Sequence, residues 1–241
     1  MNKELRLKIF KDSLNDINLS RKSLINTINP HSYILSKNDK IFQESLLNSD
    51  ILLPDGIGIV YALKLLENIL IKKISGYDLF IYLMRYSQNN NKKVMFFGST
   101  NEVLHLIKKR AEREFPNANV HTFSPPFKPE FTELENKELI KAVNDAEPDI
   151  LFIGMTAPKQ EKWAYQNFNY IQATTVCSIG AVFDFYAGTV KRSSKFWINL
   201  GLEWLPRFLK EPKRLWKRNL ISAPLFIIEV LSLKVFKKGI F

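Results

Sequence analysis

At Asp50-Ile51-Leu52-Leu53-Pro54-Asp55-Gly56-Ile57-Gly58, an apolar run ends in a carboxylate and a glycine pair. Asp55, beside a glycine turn at a strand end, is placed to work as a general base in a cleft. Asp also caps helices well, so capping of the helix that follows is the competing role. The glycine pair is not a dinucleotide fingerprint, because Tyr61 stands at the third glycine position. In Asn26-Thr27-Ile28-Asn29-Pro30-His31, Thr27 and Asn29 offer hydrogen bonds to a sugar or phosphate, or else to their own turn. Gln160 and Glu161 follow Pro158-Lys159 and open a helix whose free N–H groups suit a phosphate, although Glu is ordinary at a helix start. His31, His105 and His121 are scattered without metal-ligand spacing. There is no Asp-x-Asp clamp, Walker loop or Gly-x-Ser-x-Gly elbow, and no metal is expected.

Alternating strand and helix signals must position these residues. Lys93–Phe97 reads as a buried strand leading into Gly98-Ser99-Thr100-Asn101-Glu102, where Ser99 and Glu102 have capping-box spacing for a helix running to about Phe115. Asn119–Phe123 reads as a strand, 133–146 as a polar helix, Ile150–Gly154 as a strand, 159–167 as a helix and 174–179 as a strand. Strands separated by helices of this length imply βαβ units and a parallel sheet, with ligands at the carboxyl ends of the strands. Asn26–His31, Asp55–Gly58, Gly154–Glu161 and Gly180–Gly188 read as the informative loops. The fold class is therefore α/β, a Rossmann-like and mostly parallel sheet flanked by helices, with a basic amphipathic helical C-terminal appendage. The expected division is a catalytic domain over 1–200 and a membrane-associating appendage over 201–241.

Composition excludes several classes. With 46% hydrophobic and 24% charged residues, the chain is not predominantly disordered. Cys177 is its only cysteine, so no internal disulfide is available. Met1–Asp12 has mixed charge and no apolar h-region, so no signal peptide is expected, and no run reaches membrane-spanning length. The net charge of +11 is concentrated in one place. Residues 191–241 hold twelve Lys and Arg against three Glu, a net +9, which leaves +2 for the other 190. Within that stretch Arg207, Lys210, Arg214 and Lys217 step by three and four beside Trp204, Leu205, Phe208, Leu215 and Trp216. Pro206 and Pro212 favour two short helices over one long one. Cations flanked by Trp and Phe suit an anionic membrane surface; a helix packed on its own core with a solvated face is the alternative. No nucleic-acid motif accompanies the charge, and no nucleic-acid partner is expected.

In combination the motifs carry more. The Thr27-x-Asn29 block, Asp55-Gly56-Ile57-Gly58, Ile74-Ser75-Gly76-Tyr77-Asp78-Leu79, and Pro158-Lys159-Gln160-Glu161 occur in this order. Gly180-Ala181-Val182-Phe183-Asp184-Phe185 and Gly201-Leu202-Glu203-Trp204-Leu205 with Arg207 and Glu211-Pro212-Lys213-Arg214 complete the series. From about residue 20 to 235 the chain resembles the WecG/TagA/CpsF glycosyltransferases (glycosyltransferase family 26). The resemblance implies an inverting, metal-independent transfer, without a cofactor, from a UDP-sugar donor to a polyprenyl-diphosphate-linked sugar. The donor sugar would be N-acetylmannosamine, its uronic acid or glucuronic acid. The products would feed teichoic acid linkage units, common antigen, capsule or exopolysaccharide, and the Glu211–Asn219 stretch looks closest to the capsule and exopolysaccharide branch. It further implies Asp55 as the catalytic base, with Thr27 beside it in the catalytic group. Asn29 and Gln160 would line the pocket, and Lys73 would face the substrate where the family commonly has Arg. Lys keeps the charge but not the bidentate fork. The appendage would dock on the cytoplasmic face of the membrane and bring Arg207, Arg214, Lys217 and Arg218 over the site to stabilise the departing UDP. The same apolar tail could instead be covered in a homo-oligomer. The competing class is a non-catalytic α/β module that binds membrane or nucleic acid through its basic tail.

Overall fold

Six short runs rich in β-branched and aromatic residues assemble into one sheet in the computed structural model, which describes residues 7–236. The strands are β1 (Ser23–Ile28), β2 (Ile51–Pro54), β3 (Lys93–Gly98), β4 (Asn119–Phe123), β5 (Ile150–Gly154) and β6 (Thr175–Ser178). Their order is β2-β1-β6-β5-β3-β4, and every neighbouring pair is parallel. This is the Rossmann-like α/β domain expected from the sequence. Arg6 and its predecessors, and Lys237 and Lys238 of the basic tail, lie outside the described residues.

Twelve α-helices are described: α1 (Pro30–Ser36), α2 (Lys40–Leu47), α3 (Ile57–Glu67), α4 (Gly76–Asn89), α5 (Asn101–Glu114), α6 (Glu133–Asp145), α7 (Lys159–Asn167), α8 (Val182–Ala187), α9 (Lys195–Asn199), α10 (Trp204–Lys210), α11 (Pro212–Trp216) and α12 (Ala223–Val235). A wider, π-helical turn over Lys217–Ser222 joins α11 to α12. Strand alternation sorts the layers. Ile25, Val94, Phe96, Phe152 and Cys177 face α4, α5 and α8, whereas Leu24, Met95, Phe97, Leu151, Ile153 and Val176 face α6 and α7. Burial on both faces explains why β3 and β5 read as continuous apolar runs.

The structure revises three local expectations. Thr100, not Ser99, caps α5, through a bond from Val103 N–H to its hydroxyl at 3.4 Å. Ser99 is left-handed (φ 55°) and donates its N–H to the Gly154 carbonyl at 3.0 Å, a bond that ties the end of β3 to β5. Asn26–Ile28, read as loop, belongs to β1; Asn26 is fully buried and bonds the Ser45 carbonyl and Ser49 hydroxyl of the α2 layer. Most of Gly180–Gly188, also read as loop, is α8. The expected break in the tail is present: Glu211 leaves helical geometry between α10 and α11, and Pro212 is the first residue of α11, where its missing N–H is harmless.

Helix α12 packs back onto the sheet layer. Phe226 and Val230 of α12 are buried with Tyr33, Phe42, Ile59 and Leu63, and the Tyr33 and Phe226 rings meet edge-on at 5.3 Å. Glu229 accepts from Tyr33 Oη at 2.9 Å and pairs with Lys37 at 2.6 Å. Leu225, Ile227, Ile228 and Leu231 remain exposed on the other side of α12. No described helix is long and apolar enough to cross a membrane.

Candidate active site

Backbone pairing at the carboxyl ends of β1 and β2 fixes Asp55. Its N–H donates to the Ile28 carbonyl at 2.8 Å, one step beyond the last paired residues Ile28 and Pro54. Gly56 caps α3 at φ 132°, a conformation that favours glycine, and no side-chain cap bond is made there. The helix-cap role for Asp55 is therefore excluded, and its carboxylate accepts no hydrogen bond among the described residues. Burial raises its proton affinity, to a pKa of about 6, reinforced by the negative charges of Glu203 and Asp78 and opposed by Lys73 and Arg218. The result is a carboxylate still ionised at neutral pH but more basic than an ordinary Asp, as a general base requires.

Thr27 and Asn29 flank it. Thr27 is paired in register with Leu53 and is only half-buried. Asn29 uses its side-chain oxygen to cap α1, accepting from His31 N–H at 3.0 Å and Ser32 N–H at 3.1 Å. The turn role is thus real for Asn29, and its amide nitrogen remains available as a donor. Lys73 lies beside Asp55 because Ile74 N–H donates to the Pro54 carbonyl at 3.1 Å, which lays residues 73–75 along the end of β2. The Lys73 ammonium pairs with Glu203 at 2.9 Å.

The C-terminal cations separate into two groups. Arg207 stacks over the Phe185 ring at 5.0 Å, and its charge is felt together with those of Arg218, Glu203 and Asp55. Arg218 also faces His31, whose Nδ1 lies 2.8 Å from the Ser222 hydroxyl; burial first, then Arg218, lowers the proton affinity of that imidazole. The charges of these two cations act on and are acted on by that of Asp55. Arg214 is exposed, bonds Glu211 at 2.7 Å and faces Asp184. Lys217 is exposed with its ammonium over the Trp216 ring at 5.7 Å.

Gln160 enters from the next part of the sheet. It is buried in the first turn of α7, donates from Nε2 to Glu161 at 2.8 Å, and leaves its oxygen unpartnered. A Cβ at Gly180, just beyond β6, would come within 3.2 Å of that oxygen, so the carboxamide sits against the loop leaving the strand next to β1. Connections leaving β5 and β3 run in opposite directions, toward β6 and β4, and such a divergence opens a crevice at the strand ends. Gly98 lines it at φ 128°, so close to the Gly154 carbonyl that a Cβ would lie 2.5 Å away.

The profile of the Glycosyl transferase WecG/TagA/CpsF family matches residues 6–239. The chain belongs to that family of glycosyltransferases. Among curated relatives, the N-acetylglucosaminyldiphosphoundecaprenol N-acetyl-beta-D-mannosaminyltransferase of Bacillus subtilis (strain 168) is 30% identical over 217 residues, covering 90% of this chain and 82% of that protein. The enzyme of the same name from Staphylococcus aureus (strain MW2) is 28% identical over 209 residues, covering 86% and 79%. For this WecG/TagA/CpsF glycosyltransferase, sequence reasoning missed Glu203 and Asp78 as charges facing Asp55. Both stand in motif blocks that carry the resemblance, but without an assigned role; Glu203 is also an acid inside a strongly basic stretch, and Asp78 forms a capping box with Ser75.

Proposed function

We propose that this glycosyltransferase moves an N-acetylmannosamine unit from a UDP donor, with inversion, to N-acetylglucosamine carried on a polyprenyl diphosphate. The single observation that carries the reading is Asp55: uncapped, raised toward neutrality, and faced by Lys73, Arg207 and Arg218. Asp55 takes the proton of the acceptor hydroxyl as that oxygen attacks the anomeric carbon from the face opposite UDP. The bond from the anomeric carbon to the diphosphate breaks, and the charge left on UDP is met by Arg207 and Arg218. Thr27 and the free amide of Asn29 offer hydrogen bonds to the sugars, and Gln160 offers an acceptor.

Two observations favour N-acetylmannosamine over a uronic donor. The relatives named above are mannosaminyltransferases. Lys73, the residue suited to a uronate, is already neutralised by Glu203 at 2.9 Å. The acceptor class comes from the names of the same relatives. An acceptor anchored in a bilayer requires an enzyme that comes to the membrane. The exposed Leu225, Ile227, Ile228 and Leu231, with the basic Lys213, Lys217 and Lys234 in the same C-terminal segment, suit the cytoplasmic leaflet of an anionic membrane. On this reading residues 1–200 hold the base and 201–241 supply cations and the membrane face.

UDP release is measured with a panel of UDP-sugars and a short-chain polyprenyl-diphosphate N-acetylglucosamine, for the wild type and Asp55→Asn. Acceptor-dependent release from UDP-N-acetylmannosamine, lost in the variant, is expected. Release without acceptor dependence, or full turnover by Asp55→Asn, overturns the reading.

A further inference from the structure

Of the three acids in residues 191–241, two serve the tail itself. Glu229 holds α12 to Tyr33 and Lys37, and Glu211 binds Arg214 within its own turn. Glu203 faces the catalytic pocket instead. Its carboxylate pairs with Lys73 at 2.9 Å, with only 15% of the Lys73 side chain and 25% of the Glu203 side chain exposed. Its backbone carbonyl accepts the Ser193 hydroxyl at 2.7 Å, which fixes the start of α10. Arg207, four residues on, shares its helical face. Lys73 in turn is held beside Asp55 by the bond from Ile74 N–H to the Pro54 carbonyl. The charged groups facing Asp55 are thus Lys73 just before α4 and Asp78 in its first turn, Glu203 at the N-cap of α10 and Arg207 within it, and Arg218 from the turn before α12.

We propose that Glu203 is a positioning residue of the catalytic centre, holding the Lys73 ammonium beside Asp55. The inference rests on Asp55 being the base. Glu203 acts in two ways with the same sign. Its own negative charge disfavours the Asp55 carboxylate, and its pairing with Lys73 blunts the cation that would stabilise that carboxylate. Removing either effect makes Asp55 a weaker base. Glu203 stands at the start of α10, so its reach to Lys73 depends on how α10 is seated.

The test is the pH dependence of kcat/KM in the full-length protein, with UDP-N-acetylmannosamine and the short-chain acceptor, for the wild type, Glu203→Gln, Lys73→Gln and the double variant. Thermal melts confirm that each one folds. Glu203→Gln is expected to move the acid limb down by about half to one pH unit and to lower the plateau rate severalfold. Lys73→Gln moves the limb up, because Glu203 is then unopposed, and the double variant returns it toward the wild type. A merely structural Glu203 would lower activity without moving the limb. If Glu203→Gln does not fold, Lys73→Gln decides alone, and an unmoved limb overturns the inference. Asp55→Asn separates the two claims. Wild-type turnover there removes the base itself, whereas an inactive Asp55→Asn with unmoved limbs removes only the role of Glu203.

Discussion

Gln160 donates from Nε2 to one carboxylate oxygen of Glu161 at 2.8 Å, and the second oxygen of Glu161 is buried with no partner. With only the Gln160 amide and its own N–H to offset desolvation, the carboxylate is poorly compensated, and burial pushes its pKa up to about 7. The folded state therefore holds the Glu161 proton more tightly than the unfolded chain does. The cost of ionising it begins above the ordinary value of 4.5, grows until about pH 7 and stays constant beyond. Glu161→Gln should leave stability at pH 5 nearly unchanged and raise it at pH 8 by roughly 2 kcal/mol, a Tm gain of about 5 °C. Melts at the two pH values check this; an equal shift at both would mean that the ionised carboxylate is not the source.

Asp55 should show the same sign of stability change, together with a loss of activity. Its pKa is about 6 against an ordinary 3.8, so its ionisation costs stability above pH 4 and fully so above pH 6. Asp55→Asn is expected to lower kcat by about 10²–10⁴-fold while leaving Tm at pH 8 equal or higher. Loss of both turnover and Tm would point to a structural role for this carboxylate.

Residues 93–179 were legible because β3, β5 and β6 are buried on both faces and the helices between them show apolar periodicity, so local pattern and tertiary role agree. The end of β1 was not, because Asn26 is polar in sequence yet lies fully buried against Ser45 and Ser49, partners some twenty residues away. Ser99 and Thr100 are both good caps by type. The choice is made by the Gly154 carbonyl, which captures Ser99 N–H from another strand. Within the site, Asp55, Thr27 and Asn29 were legible as motif residues. The Lys73–Glu203 pair joins positions 130 residues apart, and no local spacing announces it.

The glycines at the divergence of β3 and β5 should be intolerant. A Cβ at Gly154 would enter the Phe183 ring, which is itself fully buried against Phe96. Gly154→Ala forces that aromatic cluster apart and should cost about 1–3 kcal/mol, read as a lower urea midpoint with an unchanged m-value. Gly98→Ala adds backbone strain at φ 128° to a clash with the Gly154 carbonyl, so it should be at least as damaging. A neutral Gly154→Ala would mean that the Phe183 ring has room to move.

Membrane association should depend on the outer face of α12 more than on charge. Phe226 and Val230 anchor the helix inward, so Ile227 and Ile228, at 57% and 63% exposure, can be changed without touching the core. Ile227→Glu combined with Ile228→Glu places two carboxylates where apolar side chains would enter the headgroup region, and both repel an anionic leaflet. Sedimentation with vesicles rich in phosphatidylglycerol should show the wild type bound and the double variant free, with unchanged Tm. Raising the salt should weaken the wild type only in part, because apolar insertion is not screened, whereas a protein held by its cations alone would be released. The double variant should also keep turnover with the short-chain acceptor and lose it with acceptor embedded in vesicles. That split would locate the defect in reaching the bilayer, and loss with both acceptors would instead mean that α12 shapes the catalytic pocket.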